Sequence, residues 1–115
     1  MSVRRIVPNV FEEDPAAARA FWESVFELDV AMDMGWIATL ISSSQPAAQV
    51  SVFEQGAEED RKPFVSVEVD DVDATHARAV ELGYEVVYSL RDEEWGVRRF
   101  MLRDPAGRVV NVLSH

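Results

Sequence analysis

The sequence predicts an α+β chain built as two tandem βαβββ modules, and three observations carry that reading. The same order of elements can be traced twice, once on each side of a polar linker. The two aspartates that start the helices, Asp14 and Asp71, stand 57 positions apart, and the same offset takes Val7 to Phe64 and Ala20 to Ala77. Each half alone would leave one face of a four-stranded sheet bare, which is a physical reason for two halves to occur together.

The first strand is expected over Val3 to Phe11, a β-branched run in which Pro8 implies an edge position or a bend. Asp14-Pro15 then supplies a helix cap followed by proline at the first helical position. Ala18, Phe21, Trp22, Val25 and Phe26 recur at helical spacing, so Phe21, Trp22 and Phe26 are expected in the core. Three strands follow: Asp29 to Met34, Trp36 to Ser42 after the turn at Gly35, and Gln49 to Phe53 after the polar turn Ser42-Ser43-Ser44-Gln45-Pro46. The tract from Gln55 to Pro63 is charged, ends in proline and reads as a linker. Beyond it, Phe64 to Val69 alternates as a strand, Asp71 to Leu82 is a helix ended by Gly83, and Glu85 to Leu90, Val97 to Leu102 and Val109 to Leu113 are three more strands. The whole chain, 1–115, is expected to be one domain, with module one at about 1–56 and module two at about 62–115.

Composition removes several function classes. Eleven Lys and Arg stand against 21 Asp and Glu, a formal charge of -10 that would repel a phosphate backbone, so nucleic acid is not an expected partner. With no Cys there are no disulfides and no thiolate nucleophiles or metal ligands. The start Met1-Ser2-Val3-Arg4-Arg5 has no signal-peptide character and no apolar run approaches a membrane span, so a cytoplasmic protein with no membrane partner is expected. The two histidines, His76 and His115, form no metal-ligand spacing. His76 is expected to be a partly buried helical residue and His115 a mobile terminal one. The acidic runs Glu12-Glu13-Asp14, Glu58-Glu59-Asp60 and Asp92-Glu93-Glu94 lack calcium-loop spacing and read as solvated loops. Neither a Gly-rich phosphate loop nor a Gly-x-Ser-x-Gly turn occurs.

The duplicated order, the helix start Asp14-Pro15-Ala16-Ala17-Ala18-Arg19-Ala20-Phe21-Trp22, the entry Val69-Asp70-Asp71-Val72-Asp73-Ala74 and the ending Trp95-Gly96-Val97-Arg98-Arg99-Phe100 with Asp104-Pro105-Ala106-Gly107 together resemble the vicinal oxygen chelate superfamily. That superfamily holds glyoxalase I, extradiol dioxygenases, and fosfomycin- and bleomycin-resistance proteins. The resemblance implies curved mixed sheets that form a cup, with ligand held in a groove between modules. It also implies a divalent metal on the first and last strands of the modules. A ligand seven residues before the helix-starting Asp falls on Val7 and Phe64, and one seven residues after Asp104 falls on Asn111. In the first module's last strand the available polar residues are Gln49 and Ser51. Two apolar side chains and an amide cannot assemble a three-ligand metal site, so neither metal nor other cofactor is expected.

Strand alternation names the other candidates. Val7 with Asn9, Phe64 with Ser66 and Glu68, and Val109 with Asn111 each share a face. Glu68 is the candidate base, because a carboxylate in an apolar setting can take a proton or pair with a cation. Trp36 and Trp95, at strand ends, are candidate walls of a binding site, and of the adjacent Arg98 and Arg99 one faces each side of its strand, with Arg98 taken as a ligand contact. The leading expectation is a metal-free homodimer that binds a small organic molecule, a cationic aromatic one being favoured by the acidity, as in drug sequestration by the bleomycin-resistance branch. The alternatives are an enzyme of lyase, isomerase or dioxygenase type, with a metal held in another way or with Glu68 as base, and a structural or regulatory partner domain.

Overall fold

The computed structural model describes residues 1–56 and 61–115; the run Glu58-Glu59-Asp60 lies outside the described residues. The chain forms two compact units, Val7–Lys62 and a second made of Met1–Ile6 with Pro63–His115. Ten elements run in the expected order: β1 (Val3–Glu12), α1 (Pro15–Phe26), β2 (Asp29–Asp33), β3 (Ile37–Ile41), β4 (Gln49–Glu54), β5 (Val65–Val69), α2 (Val72–Glu81), β6 (Val86–Asp92), β7 (Arg98–Arg103) and β8 (Val109–Ser114).

In the Val7–Lys62 unit the strand order is β2-β3-β4-β1. β1 runs parallel to β4, with Asn9 opposite Ser51, and the other neighbours are antiparallel. Asp14 caps α1 by accepting from the Ala17 amide at 3.1 Å, and Pro15 occupies the first turn, where no amide donor is needed. The core under this helix is Leu40, Val50 and Val52, with Val10, Ala18, Trp22 and Leu28 packed on it. Phe21 and Phe26, expected in that core, are instead about half exposed. Helical periodicity marks an apolar stripe but not how much of it the sheet covers. Ala18 and Trp22, one turn apart, make the contact, while Phe21 and Phe26 pack their rings on Trp22 at 5.4 and 5.1 Å.

In the other unit the order is β1-β5-β8-β7-β6, with β5 and β8 parallel and the remaining mapped pairs antiparallel. The first residues of the chain belong here and not with module one. The Ser2 amide donates to the Asp70 carboxylate at 2.7 Å, the Asp70 amide returns a bond to the Ser2 carbonyl at 3.0 Å, and Arg5 meets Glu68 at 2.8 Å. Pro8 sits between this tethered stretch and the pairing with β4 that begins at Asn9, a point where its missing donor leaves no mapped ladder bond unmade. Asp71 caps α2 through the Ala74 amide at 3.0 Å, and Gly83, at φ +84°, turns the chain out of the helix in the left-handed region that glycine tolerates. The core is Val69, Val72, Ala79, Phe100 and Val112, and the His76 ring stands edge-on to Phe100 at 4.9 Å. In the turn after β7, the Asp104 carboxylate accepts from the amides of Ala106 and Arg108 at 3.0 and 2.9 Å.

Strand register sharpens the repeat. Asn9 pairs with Ser51 in one unit and Ser66 with Asn111 in the other, and 57 positions separate Asn9 from Ser66. Ser51 is therefore the first module's equivalent of Asn111. Among the described residues no helix is long and apolar enough to cross a membrane.

Candidate functional site

The most chemically furnished surface is the sheet face of the Met1–Ile6 and Pro63–His115 unit that points away from α2. Period-two alternation and the mapped register lay side chains across four strands in two rows: Ser66, Asn111, Met101 and Tyr88, then Glu68, Leu113, Arg99 and Arg91. Met101 is fully buried and Asn111 is 8% exposed. The Asn111 Nδ2 donates to Ser66 Oγ at 3.1 Å, and its Oδ1 is buried with no hydrogen-bond partner among the described residues. An acceptor left in that state costs about 1–3 kcal/mol, so among the described residues Asn111 Oδ1 stands with an unmet demand for a donor.

Charged groups on the second row are held in fixed positions. The Arg99 guanidinium lies 4.9 Å from the Tyr88 ring and 5.2 Å from the Trp95 ring, and its Nε is 3.5 Å from Glu93, whose side chain is as buried as its own. Tyr88 donates its hydroxyl to the same Glu93 oxygen at 2.5 Å, and Arg91 covers the Tyr88 ring at 4.1 Å. Glu68 uses Oε1 for Arg5, at 2.8 Å, and sets Oε2 3.4 Å from His115 Nε2. His115 Nε2 lies 3.4 Å from both Glu68 Oε2 and Arg5 Nη2, and the one nitrogen serves either as donor to the carboxylate or as acceptor from the guanidinium.

Two expected residues of this half lie elsewhere. Arg98 points to the helix side of the sheet, where it donates to Asp73 of α2 at 2.9 Å and approaches Asp92 at 3.3 Å. Its hydrogen bond holds the Asp73 carboxyl below the usual carboxylate range against opposing desolvation. The adjacent Arg99 takes the inner position, because β7 enters from the Trp95-Gly96 turn in the phase that sends odd-numbered residues to the face carrying Asn111. Phe64 precedes β5, is 42% exposed and lies beneath the Arg108 guanidinium at 4.9 Å. Trp95, in the turn before β7, is exposed on one side and touches Arg99 on the other.

The Val7–Lys62 unit carries a more apolar face. Val7, Ser51 and Phe53 are buried there, Phe11 stacks on Phe53 at 4.7 Å, Trp36 lies 6.1 Å from Phe53, and Thr39 and Ser51 exchange a hydroxyl bond at 3.3 Å. Asn9 shares this face through its pairing with Ser51. On the helix side a separate apolar groove of about 320 Å³ runs between Trp22, Phe26 and Leu28 and the strand residues Pro8, Val10 and Val50. Sequence reasoning did not anticipate it, because it arises where α1 overhangs the sheet. It also missed Arg5, Tyr88, Glu93 and Met101 as members of the polar face, and of the pair Arg98 and Arg99 it took the wrong one as the contact. Alternation could have placed Met101 and Arg99 once Asn111 was chosen, since the three lie on neighbouring antiparallel strands.

The metal positions named from the family resemblance fail a chemical test. Val7 is a buried hydrocarbon, Phe64 is under Arg108, and Asn111 offers a single neutral amide oxygen. Among the described residues no three or more His, Asp or Glu side chains come together in a metal-binding group. These residues do not fit a catalytic divalent ion.

Two βαβββ units, each with a capped helix on one side of its sheet, define a paired-module α+β protein. The chain belongs to the Glyoxalase/Bleomycin resistance protein/Dioxygenase superfamily, whose model matches residues 5–112. Its fold is similar to that of a superfamily member from Vibrio splendidus 12B01, with a TM-score of 0.77 and 16% identity, covering 99% of this chain and 100% of that one. It is also similar to Streptomyces coelicolor methylmalonyl-CoA epimerase in complex with 2-nitronate-propionyl-CoA, with a TM-score of 0.71 and 19% identity over 98% of each chain. A hypothetical protein from Bacillus halodurans C-125 gives a TM-score of 0.77 at 12% identity, covering 100% of this chain and 96% of that one. No curated protein sequence matches the chain.

Proposed function

We propose that this protein is a metal-free member of its superfamily, a cytoplasmic homodimer that holds a small organic molecule on its sheet face without transforming it. The observation that carries the proposal is the occupancy of the family's metal positions by Val7, Phe64 and Asn111, beside a polar group, Asn111 Oδ1, that a bound molecule could satisfy. Ser66, Glu68, Trp95 and Asn111 supply the contacts in the Met1–Ile6 and Pro63–His115 unit; the Val7–Lys62 unit carries Val7, Asn9, Trp36 and Ser51 on a face of its own. Arg98, paired to Asp73, is not among these contacts. The exposed apolar side chains of α1, Phe21, Val25 and Phe26, support self-association, since they are contiguous and uncovered.

A second reading keeps enzyme activity, with Glu68 as an acid–base group; the approach of His115 to its Oε2 favours it. Both carboxylate oxygens of Glu68 already face a partner, so that role requires one partner to be displaced by substrate. A thermal-shift screen separates the readings. Ligands bound to the native state raise the midpoint by mass action, so divalent metals that raise it, or turnover of 2-oxo aldehydes, would favour the enzyme. A response to organic ligands alone supports the binder. Sedimentation equilibrium of the protein and of a Phe21→Asp variant tests the dimer.

A further inference from the structure

We infer that the face bearing Asn111 selects small carboxylates that also carry a hydroxyl donor, with the carboxylate on Arg99 and the hydroxyl on Asn111 Oδ1. The inference rests on the small-molecule reading above and specifies its ligand class. It reverses the sign of ligand charge that the whole-chain charge of -10 suggests.

Locally the balance is different. Arg5, Arg91 and Arg99 reach this face against Glu68 and Glu93, while Arg103 is matched by Glu85 at 3.6 Å. Arg91, the cation in excess, is exposed, but the Arg99 guanidinium is buried and acts at short range, where solvent screens it less than it screens the dispersed surface acids. The Arg99 guanidinium is also oriented before any ligand arrives. Two aromatic rings flank it and the Glu93 carboxylate pairs with it electrostatically at 3.5 Å, while the same Glu93 oxygen accepts the Tyr88 hydroxyl. A planar, pre-oriented guanidinium suits a carboxylate better than any neutral acceptor.

The donor requirement comes from Asn111. Its Oδ1 is buried and can only accept, so it favours a ligand hydroxyl over a second anionic oxygen. Asn111 stands opposite Met101, and Arg99 is two residues further along β7, opposite Leu113. Such diagonal neighbours on antiparallel strands are about 7–8 Å apart, a gap that the long arginine side chain can shorten. The buried thioether of Met101 forms an apolar floor between them. A carboxylate with a hydroxyl on the adjacent carbon fits that spacing.

The test uses four probes, mandelate, benzoate, methyl mandelate and benzamidine, titrated by calorimetry into the intact protein. Mandelate should bind at least about tenfold more tightly than methyl mandelate, which lacks the charge, and more tightly than benzoate, which lacks the donor. Arg99→Lys keeps the positive charge beside Glu93 but loses the fork, and should weaken mandelate by about tenfold or more. Asn111→Leu should erase the margin of mandelate over benzoate. Circular dichroism establishes that each variant is folded. If methyl mandelate or benzamidine binds as tightly as mandelate, or Arg99→Lys leaves mandelate unchanged, the carboxylate assignment is overturned while the binding role stands. If no probe binds, both are overturned.

Discussion

Replacing Asn111 by leucine keeps the branched side-chain skeleton and removes both polar atoms from a site that is 8% exposed. Two terms of opposite sign follow. The loss of the Nδ2 bond to Ser66 costs about 0.5–1.5 kcal/mol, while removal of the unpaired buried carbonyl recovers about 1–3 kcal/mol. The net expectation is a ligand-free protein more stable by about 1 kcal/mol, which for a chain of this size raises the thermal midpoint by about 4 °C. Differential scanning calorimetry without ligand measures this directly. Stabilisation on deleting this polar residue, together with the loss of mandelate's margin over benzoate, assigns Asn111 to ligand contact and not to folding. A midpoint lowered by several degrees would refute the reasoning, because it would mean that Oδ1 is already satisfied, for example by an ordered water.

Other outcomes follow from the same geometry. Phe100→Ala, at a fully buried centre of the α2 core, should cost about 3–5 kcal/mol in urea unfolding and abolish the edge contact with His76. Asp14→Ala should cost about 1 kcal/mol through loss of the α1 cap, seen as a lower urea midpoint with unchanged slope. The Asp73 carboxyl is held below its ordinary value of 3.8 by the Arg98 hydrogen bond. It therefore binds fewer protons when folded than when unfolded, and its contribution is present above pH 3.8 and lost as the pH falls through the lower folded value. Asp73→Asn should flatten the acid limb of a stability–pH curve below about pH 4 and leave the slope at neutral pH unchanged.

The order and type of every element were legible because each has a local cause. Asp14-Pro15, Gly83 and the Asp104 turn act within a few residues of themselves, and the structure uses each in the way its chemistry suggests. What was not legible depends on distant partners. That Met1–Ile6 would join the second module depends on Asp70 and Glu68, more than sixty residues away, as the bond from the Ser2 amide illustrates. The exposure of Phe21 and Phe26 depends on the width of sheet beneath α1, which the periodicity of the helix does not contain. The choice between Arg98 and Arg99 depends on one residue of phase at the Trp95-Gly96 turn, and a one-residue slip exchanges the faces. The chain terminus offered no pattern at all, and His115 finds Glu68 and Arg5 through tertiary contact alone.

Binding without a metal is the central claim, and the thermal midpoint under metal exchange tests it most directly. Protein purified without chelator should hold well under one equivalent of any divalent ion. Its midpoint should not change when EDTA is added or when zinc, nickel or manganese is restored. A stoichiometric ion whose removal lowers the midpoint by several degrees, and whose return restores it, would contradict the account.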